Sequence, residues 1–89
     1  MQQRHVTIIN KLGLHARAAA KLVGLASQFK SDIKVAKGSN EVNGKSILGV
    51  MMLAAAKNTE LVISADGPDE DKALDALQAL VERYFDEGE

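Results

Sequence analysis

The sequence predicts an α+β fold in which a four-stranded antiparallel sheet is covered on one face by three helices. Three observations carry this reading. Four short segments alternate polar and apolar residues or gather β-branched ones, three segments repeat apolar residues at helical spacing, and turn residues separate them in the order β-α-β-β-α-β-α. A chain this short has room for one shared core, so the helices gather on one sheet face and the other stays wet.

The first strand is read at Val6-Thr7-Ile8-Ile9-Asn10, with Val6 and Ile8 on one face. Lys11-Leu12-Gly13-Leu14 breaks the pattern. From Ala16 to about Phe29 the residues Ala19, Leu22, Val23, Ala26 and Phe29 form one helical stripe. Ser31-Asp32 punctuates, and Ile33 and Val35 alternate with Lys34 in a second strand. Gly38-Ser39-Asn40 reads as a hairpin turn before a short return strand, Glu41-Val42-Asn43. Ser46 suits the N-cap of an apolar helix over Ile47 to Ala56, closed by Asn58 in a left-handed conformation. Leu61-Val62-Ile63-Ser64-Ala65 is the fourth strand. After the turn Asp66-Gly67-Pro68-Asp69, the acids Asp69, Glu70 and Asp71 favour a helix start, and Ala73, Leu74, Leu77, Leu80, Val81 and Tyr84 supply its stripe. On the open sheet face Thr7, Lys34 and Ser64 are expected to meet water.

With 89 residues, 46% hydrophobic and 26% charged, the chain fits one small domain over residues 1–89. Eleven basic residues against 12 acidic ones give a net charge of -1, which offers nothing to nucleic acid or to an anionic membrane. The absence of cysteine excludes disulfides, thiolate metal sites and cysteine nucleophiles. Three aromatics, Phe29, Tyr84 and Phe85, are too few for a base-stacking platform. Two histidines without paired carboxylate spacing argue against a metal site, and no cofactor is expected. No apolar run approaches the roughly 20 residues of a membrane span, and the first residues form no apolar signal core. The expected location is the cytoplasm.

His15 is the most informative position. It precedes a predicted helix, where the partial positive charge of the backbone disfavours imidazolium and leaves a nucleophilic lone pair. The first-turn N–H groups of Ala16, Arg17 and Ala18 lack helical acceptors and can cradle an anion. Arg17 adds a guanidinium fork for phosphoryl oxygens, and Gly13 lets the backbone bend close to the group. A nitrogen nucleophile beside an anion cradle suits reversible phosphoryl transfer; a plain surface or capping histidine is the competing reading. Ser46 reads as an N-cap or as a phosphorylation site. Gly38 through Gly44-Lys45-Ser46 has five residues between its glycines instead of the four of a phosphate-binding P-loop, which excludes that motif. Ile47, Leu48, Met51 and Met52 crowd a helix that can bury one face, so they divide between core and docking surface.

Gly13-Leu14-His15-Ala16-Arg17-Ala18-Ala19, followed by Gly44-Lys45-Ser46-Ile47-Leu48-Gly49-Val50-Met51, resembles the histidine-containing phosphocarrier family, HPr, of the bacterial phosphotransferase system. The resemblance runs from Val6 to the last helix. It implies an open-faced β-sandwich and a phosphocarrier in which His15 is phosphorylated on Nδ1. The donor would be the phosphoenolpyruvate-dependent enzyme I and the acceptor a IIA-type protein. Arg17 would help hold the phosphoryl group. Ser46 would match a regulatory serine modified by a dedicated kinase and reversed by a phosphorylase. Leu14, Ala20, Ile47, Leu48 and Met51 would lie on the docking surface of a monomer.

The chain departs from the family at Ala18, where proline is usual, at Gly24, Ser27 and Gly49, where enteric sugar-branch carriers often have lysine, and at Asn58, where glycine is common. Asn10-Lys11-Leu12-Gly13, the Ala-rich first helix and Met51-Met52-Leu53 look more like the nitrogen-branch members, NPr. Two other functions compete with the carrier. Arg17 and Asn43 in a small α/β domain could hydrolyse acyl phosphates, as acylphosphatases do, or the domain could regulate a partner without covalent chemistry.

Overall fold

Strands and helices follow one another in the expected order in the computed structural model, which describes residues 1–88; Glu89, the last residue of the expected domain, lies outside the described residues. The elements are β1 (Gln2–Thr7), α1 (Ala16–Ala26), β2 (Asp32–Lys37), β3 (Asn40–Asn43), α2 (Ile47–Met52), β4 (Glu60–Asp66) and α3 (Glu70–Glu82), with a 3-10 turn at Tyr84–Asp86. The sheet order is β1-β4-β2-β3, and every neighbouring pair is antiparallel.

Register explains the two faces. Val6 lies opposite Leu61, and Val35 lies opposite both Ile63 and Val42, so these apolar residues share the helix-covered side. Lys34 lies opposite Ser64 and Asn43 on the uncovered side. Against the first set pack Ala18, Ala19, Leu22 and Ala26 of α1 and Leu74, Leu77 and Val81 of α3, all buried. Gly38 opens the two-residue loop between Lys37 and Asn40 with φ +60, which suits the glycine-first type II′ hairpin.

Several boundaries differ from the sequence reading. The first strand, expected over Val6–Asn10, runs from Gln2 to Thr7, because β4 offers a partner to each of those residues. Ile8 still bonds the residues just before β4, Thr59 O at 2.9 Å and Asn58 N at 2.7 Å, and then the chain turns away. Helix α1 ends at Ala26 instead of Phe29. Its last N–H groups tighten to three-residue spacing, Gln28 to Leu25 O and Phe29 to Ala26 O.

Helix α2 stops at Met52 instead of Ala56. Ala54 takes a left-handed conformation at φ 50, and Ala55 gives its carbonyl to Leu14 N at 2.7 Å. Non-glycine residues enter that region at a cost of roughly 1–2 kcal/mol. Asn58, at φ 77, is left-handed as expected, but it lies beyond the helix and turns the chain into β4; Ala54 takes the place foreseen for it. Tyr84 has the spacing of the last helix's stripe. The helix ends at Glu82, Tyr84 is exposed, and Phe85 fills the core position. Tyr84, Phe85 and Asp86 all have positive φ, at 60, 51 and 61, so the chain reverses in a left-handed turn. Among the described residues no helix is long and apolar enough to cross a membrane.

Candidate phosphoryl site

The backbone around His15 is pinned before its side chain is considered. Gly13 has φ +70, and a Cβ there would lie 2.5 Å from Ala55 O and 2.9 Å from Ala56 Cα. Only glycine fits this approach. Leu14 N bonds Ala55 O, and the Leu14 side chain is 4% exposed. Leu14 therefore belongs to the core, which corrects its expected place on a docking surface. His15 follows in an extended conformation, φ -77 and ψ -178, and its carbonyl accepts from Ala19 N at 2.8 Å. It is the N-cap residue of α1.

The His15 side chain makes no capping hydrogen bond to its own helix. The N–H groups of Ala16, Arg17 and Ala18 thus keep the open valences that helix geometry leaves at a first turn. Nε2 of the ring meets Glu87 Oε2 at 2.6 Å, while Nδ1 has no hydrogen-bond partner among the described residues. The ring is 29% exposed and Glu87 12% exposed. The other Glu87 oxygen, Oε1, accepts from Asn10 Nδ2 at 3.0 Å, and the same Nδ2 donates to Gly13 O at 2.8 Å. Glu87 reaches this place because Phe85 is buried beneath α1 and α3, and Lys21 Nζ of α1 donates to Phe85 O at 2.8 Å.

A surface cleft of about 590 Å³ lies over His15 and the first turn. Lys11, Arg17 and Lys21 bring positive charge to it, and Asp86 and Glu87 negative charge. Arg17 is exposed and makes no hydrogen bond or ion pair among the described residues. Asp86 is engaged by Arg83, whose hydrogen bond holds its carboxyl below the usual range. Ala16 is exposed, and Ala18 is buried against the core.

The second motif lies on α2. Ser46 is its N-cap, and Ser46 Oγ accepts from Gly49 N at 3.2 Å. Val50 is the only buried residue within the helix. Ile47, Leu48, Met51 and Met52 are exposed, Leu48 at 71% and Met52 at 81%. Ala20 is exposed on α1, and Leu12, exposed beside His15, adds an apolar residue that the sequence pattern did not single out. Sequence reasoning also missed Asn10, Lys21 and Glu87. Glu87 lies 72 positions from His15 along the chain, and no local pattern spans that distance. No group of three or more His, Cys, Asp or Glu among the described residues could hold a metal ion.

Comparison with known proteins agrees with the fold. Residues 2–83 match the family profile described as "PTS HPr component phosphorylation site". The chain is 55% identical to phosphocarrier protein HPr of Cupriavidus necator over 89 residues, covering all of both chains. It is 47% identical to phosphocarrier protein NPr of Shewanella violacea, over 96% of this chain and 93% of that one. HPr from Thermoanaerobacter tengcongensis superposes with a TM-score of 0.94 at 45% identity, covering 98% of each chain. With the expected four-stranded sheet and helix layer in place, and a match along nearly its whole length, the chain belongs to the HPr family of phosphotransferase-system phosphocarriers.

Proposed function

We propose that His15 is the residue that carries the phosphoryl group, through Nδ1. One observation supports this above the others: Glu87 engages Nε2, and the unpartnered Nδ1 belongs to a ring at the head of a helix with three open N–H groups. A carboxylate oxygen accepts, so Nε2 carries the ring's proton and Nδ1 keeps its lone pair. Members of the HPr family work with enzyme I and with IIA-type proteins. In the proposed cycle the His15 nitrogen attacks the phosphorus of a phosphohistidine on enzyme I. The new N–P bond forms as the donor's N–P bond breaks, and the donor nitrogen regains its lone pair. The N–H groups of Ala16, Arg17 and Ala18 and the Arg17 guanidinium steady the equatorial oxygens. The group then passes to a histidine of a IIA-type acceptor, of the nitrogen or the sugar branch, across a small transient interface.

Ala20, Ile47, Leu48 and Met51 form the docking surface in this reading, and Ser46 at its edge is a regulatory phosphorylation site. The carrier works as a monomer in the cytoplasm, as one domain, with no nucleic acid or membrane partner. Incubation with enzyme I and labelled phosphoenolpyruvate tests the reading. Acid-labile, base-stable label, one per chain and absent from His15→Ala, is the expected result. Catalytic hydrolysis of acetyl phosphate without such label would overturn it. Running the assay with enzyme I of both branches assigns the branch.

A further inference from the structure

Asn10 is fully buried, and its carboxamide faces two acceptors at once. Nδ2 donates to Gly13 O at 2.8 Å and to Glu87 Oε1 at 3.0 Å, so the amide's orientation is fixed by its partners. Its own oxygen, Oδ1, is buried without a partner among the described residues. A residue serving only to tie the loop would need one donor, and an orphaned buried oxygen is rare enough to call for an explanation. The Nδ2 bond to Glu87 fixes which way the amide faces, and in that orientation Oδ1 meets no donor among the described residues. Glu87 places one oxygen on Asn10 and the other on His15 Nε2, which makes a continuous chain from a rigid buried amide to the imidazole.

We propose that Asn10 is a positioning residue for the chemistry at His15: by anchoring Glu87 it keeps the ring's proton on Nε2 and turns Nδ1 toward the incoming phosphorus. This rests on the reading of His15 as the phosphoryl acceptor. Glu87 follows a left-handed turn with one buried residue, Phe85. Lys21 holds that turn by the Phe85 carbonyl, and Asn10 holds the carboxylate itself. Without Asn10 the carboxylate has one partner and more than one orientation. A partner that orients an imidazole through its far nitrogen commonly sets both tautomer and aim.

The test is a double-mutant cycle with Asn10→Ala, Glu87→Ala and the pair. Two readouts are taken: the initial rate of labelling by enzyme I and phosphoenolpyruvate, and the tautomer of the unphosphorylated neutral ring from imidazole 15N shifts. In the wild type the proton is expected on Nε2. Each single variant is expected to slow labelling roughly 10-fold, the scale of one charge-assisted hydrogen bond, and to mix the tautomers. The double variant should label no more slowly than Glu87→Ala alone. Thermal unfolding of the four proteins is followed alongside, because loss of the Gly13 tie acts on stability without needing Glu87. Additive slowing would show that Asn10 acts apart from Glu87 and would overturn the proposal. Full labelling rates and an unchanged tautomer in Glu87→Ala, which alters no core residue, would overturn it even if Asn10→Ala does not fold. A wild type left unlabelled on His15 overturns the functional reading and this one together, whereas a labelled wild type with indifferent variants overturns this one alone.

Discussion

Asp69, at the start of α3, closes a three-bond clasp on Lys30 and Ser31, in the turn before β2. Its Oδ1 accepts from Ser31 N at 2.9 Å and from Ser31 Oγ at 2.5 Å, and its Oδ2 accepts from Lys30 N at 2.9 Å. Donation from the Ser31 hydroxyl, followed by the Lys30 N–H, lowers the Asp69 carboxyl from 3.8 to about 2. A carboxyl more acidic in the folded than in the unfolded chain stabilises the fold above its unfolded value, and that support is lost as pH falls through the folded value. Asp69→Asn is therefore expected to melt below the wild type at neutral pH. The two melting curves should converge as pH falls from about 4 to about 2. Parallel curves across that range in a thermal scan would contradict the assignment.

Gly13→Ala should be more damaging than its size suggests. The new methyl would collide with Ala55 O, and φ +70 is unfavourable for alanine. Backbone must move to relieve a clash with backbone, so a loss of at least about 2 kcal/mol is expected in urea unfolding. Because the shift falls two residues before His15, labelling by enzyme I should slow as well.

Ala54 offers the opposite sign. It is exposed and left-handed at φ 50, a conformation that glycine adopts without steric cost. Ala54→Gly is expected to stabilise the chain by about 1 kcal/mol, or to raise Tm by roughly 4–8 °C for a domain of this size. Calorimetry of the two proteins checks both sign and size.

At Ser46, removal and charge separate two roles. Ser46→Ala deletes the acceptor for Gly49 N, and about 1 kcal/mol of stability should go with it, measured by denaturant titration. Ser46→Asp keeps an acceptor at the cap but puts negative charge beside the exposed Ile47 and Leu48. Its expected signature is slower labelling by enzyme I at nearly unchanged Tm.

Leu48 tests the docking surface directly. At 71% exposure it contributes little to the core, so Leu48→Glu should alter stability by less than about 0.5 kcal/mol. The same change should raise KM for enzyme I markedly while leaving kcat near its wild-type value. An unchanged KM would remove α2 from the interface.

Local pattern reveals the fold well because each strand and two of the helices carry their own periodicity. Ile33 and Val35 alternate cleanly, and Leu74, Leu77 and Val81 mark one helix face, so those elements needed no tertiary information. The misread boundaries have tertiary causes. Nothing near Leu53 or Ala54 signals a helix end; α2 stops because Ala55 is claimed by Leu14. Tyr84 fits the spacing of its helix, but the left-handed turn exchanges it for Phe85. The positions of His15 and Arg17 at the head of α1, and of Ser46 at the head of α2, were legible because each lies next to a helix start. Glu87 and Asn10 were not, since their meaning comes from meeting each other across the folded chain.

The carbonyl that Ala55 withholds from helix α2 has a structural consequence. Leu48 and Met51 stand on a short strut whose far end is fastened to Leu14, the residue just before His15. From the end of that helix to the residue before His15 there is a short route of covalent links and one hydrogen bond, separate from the sheet.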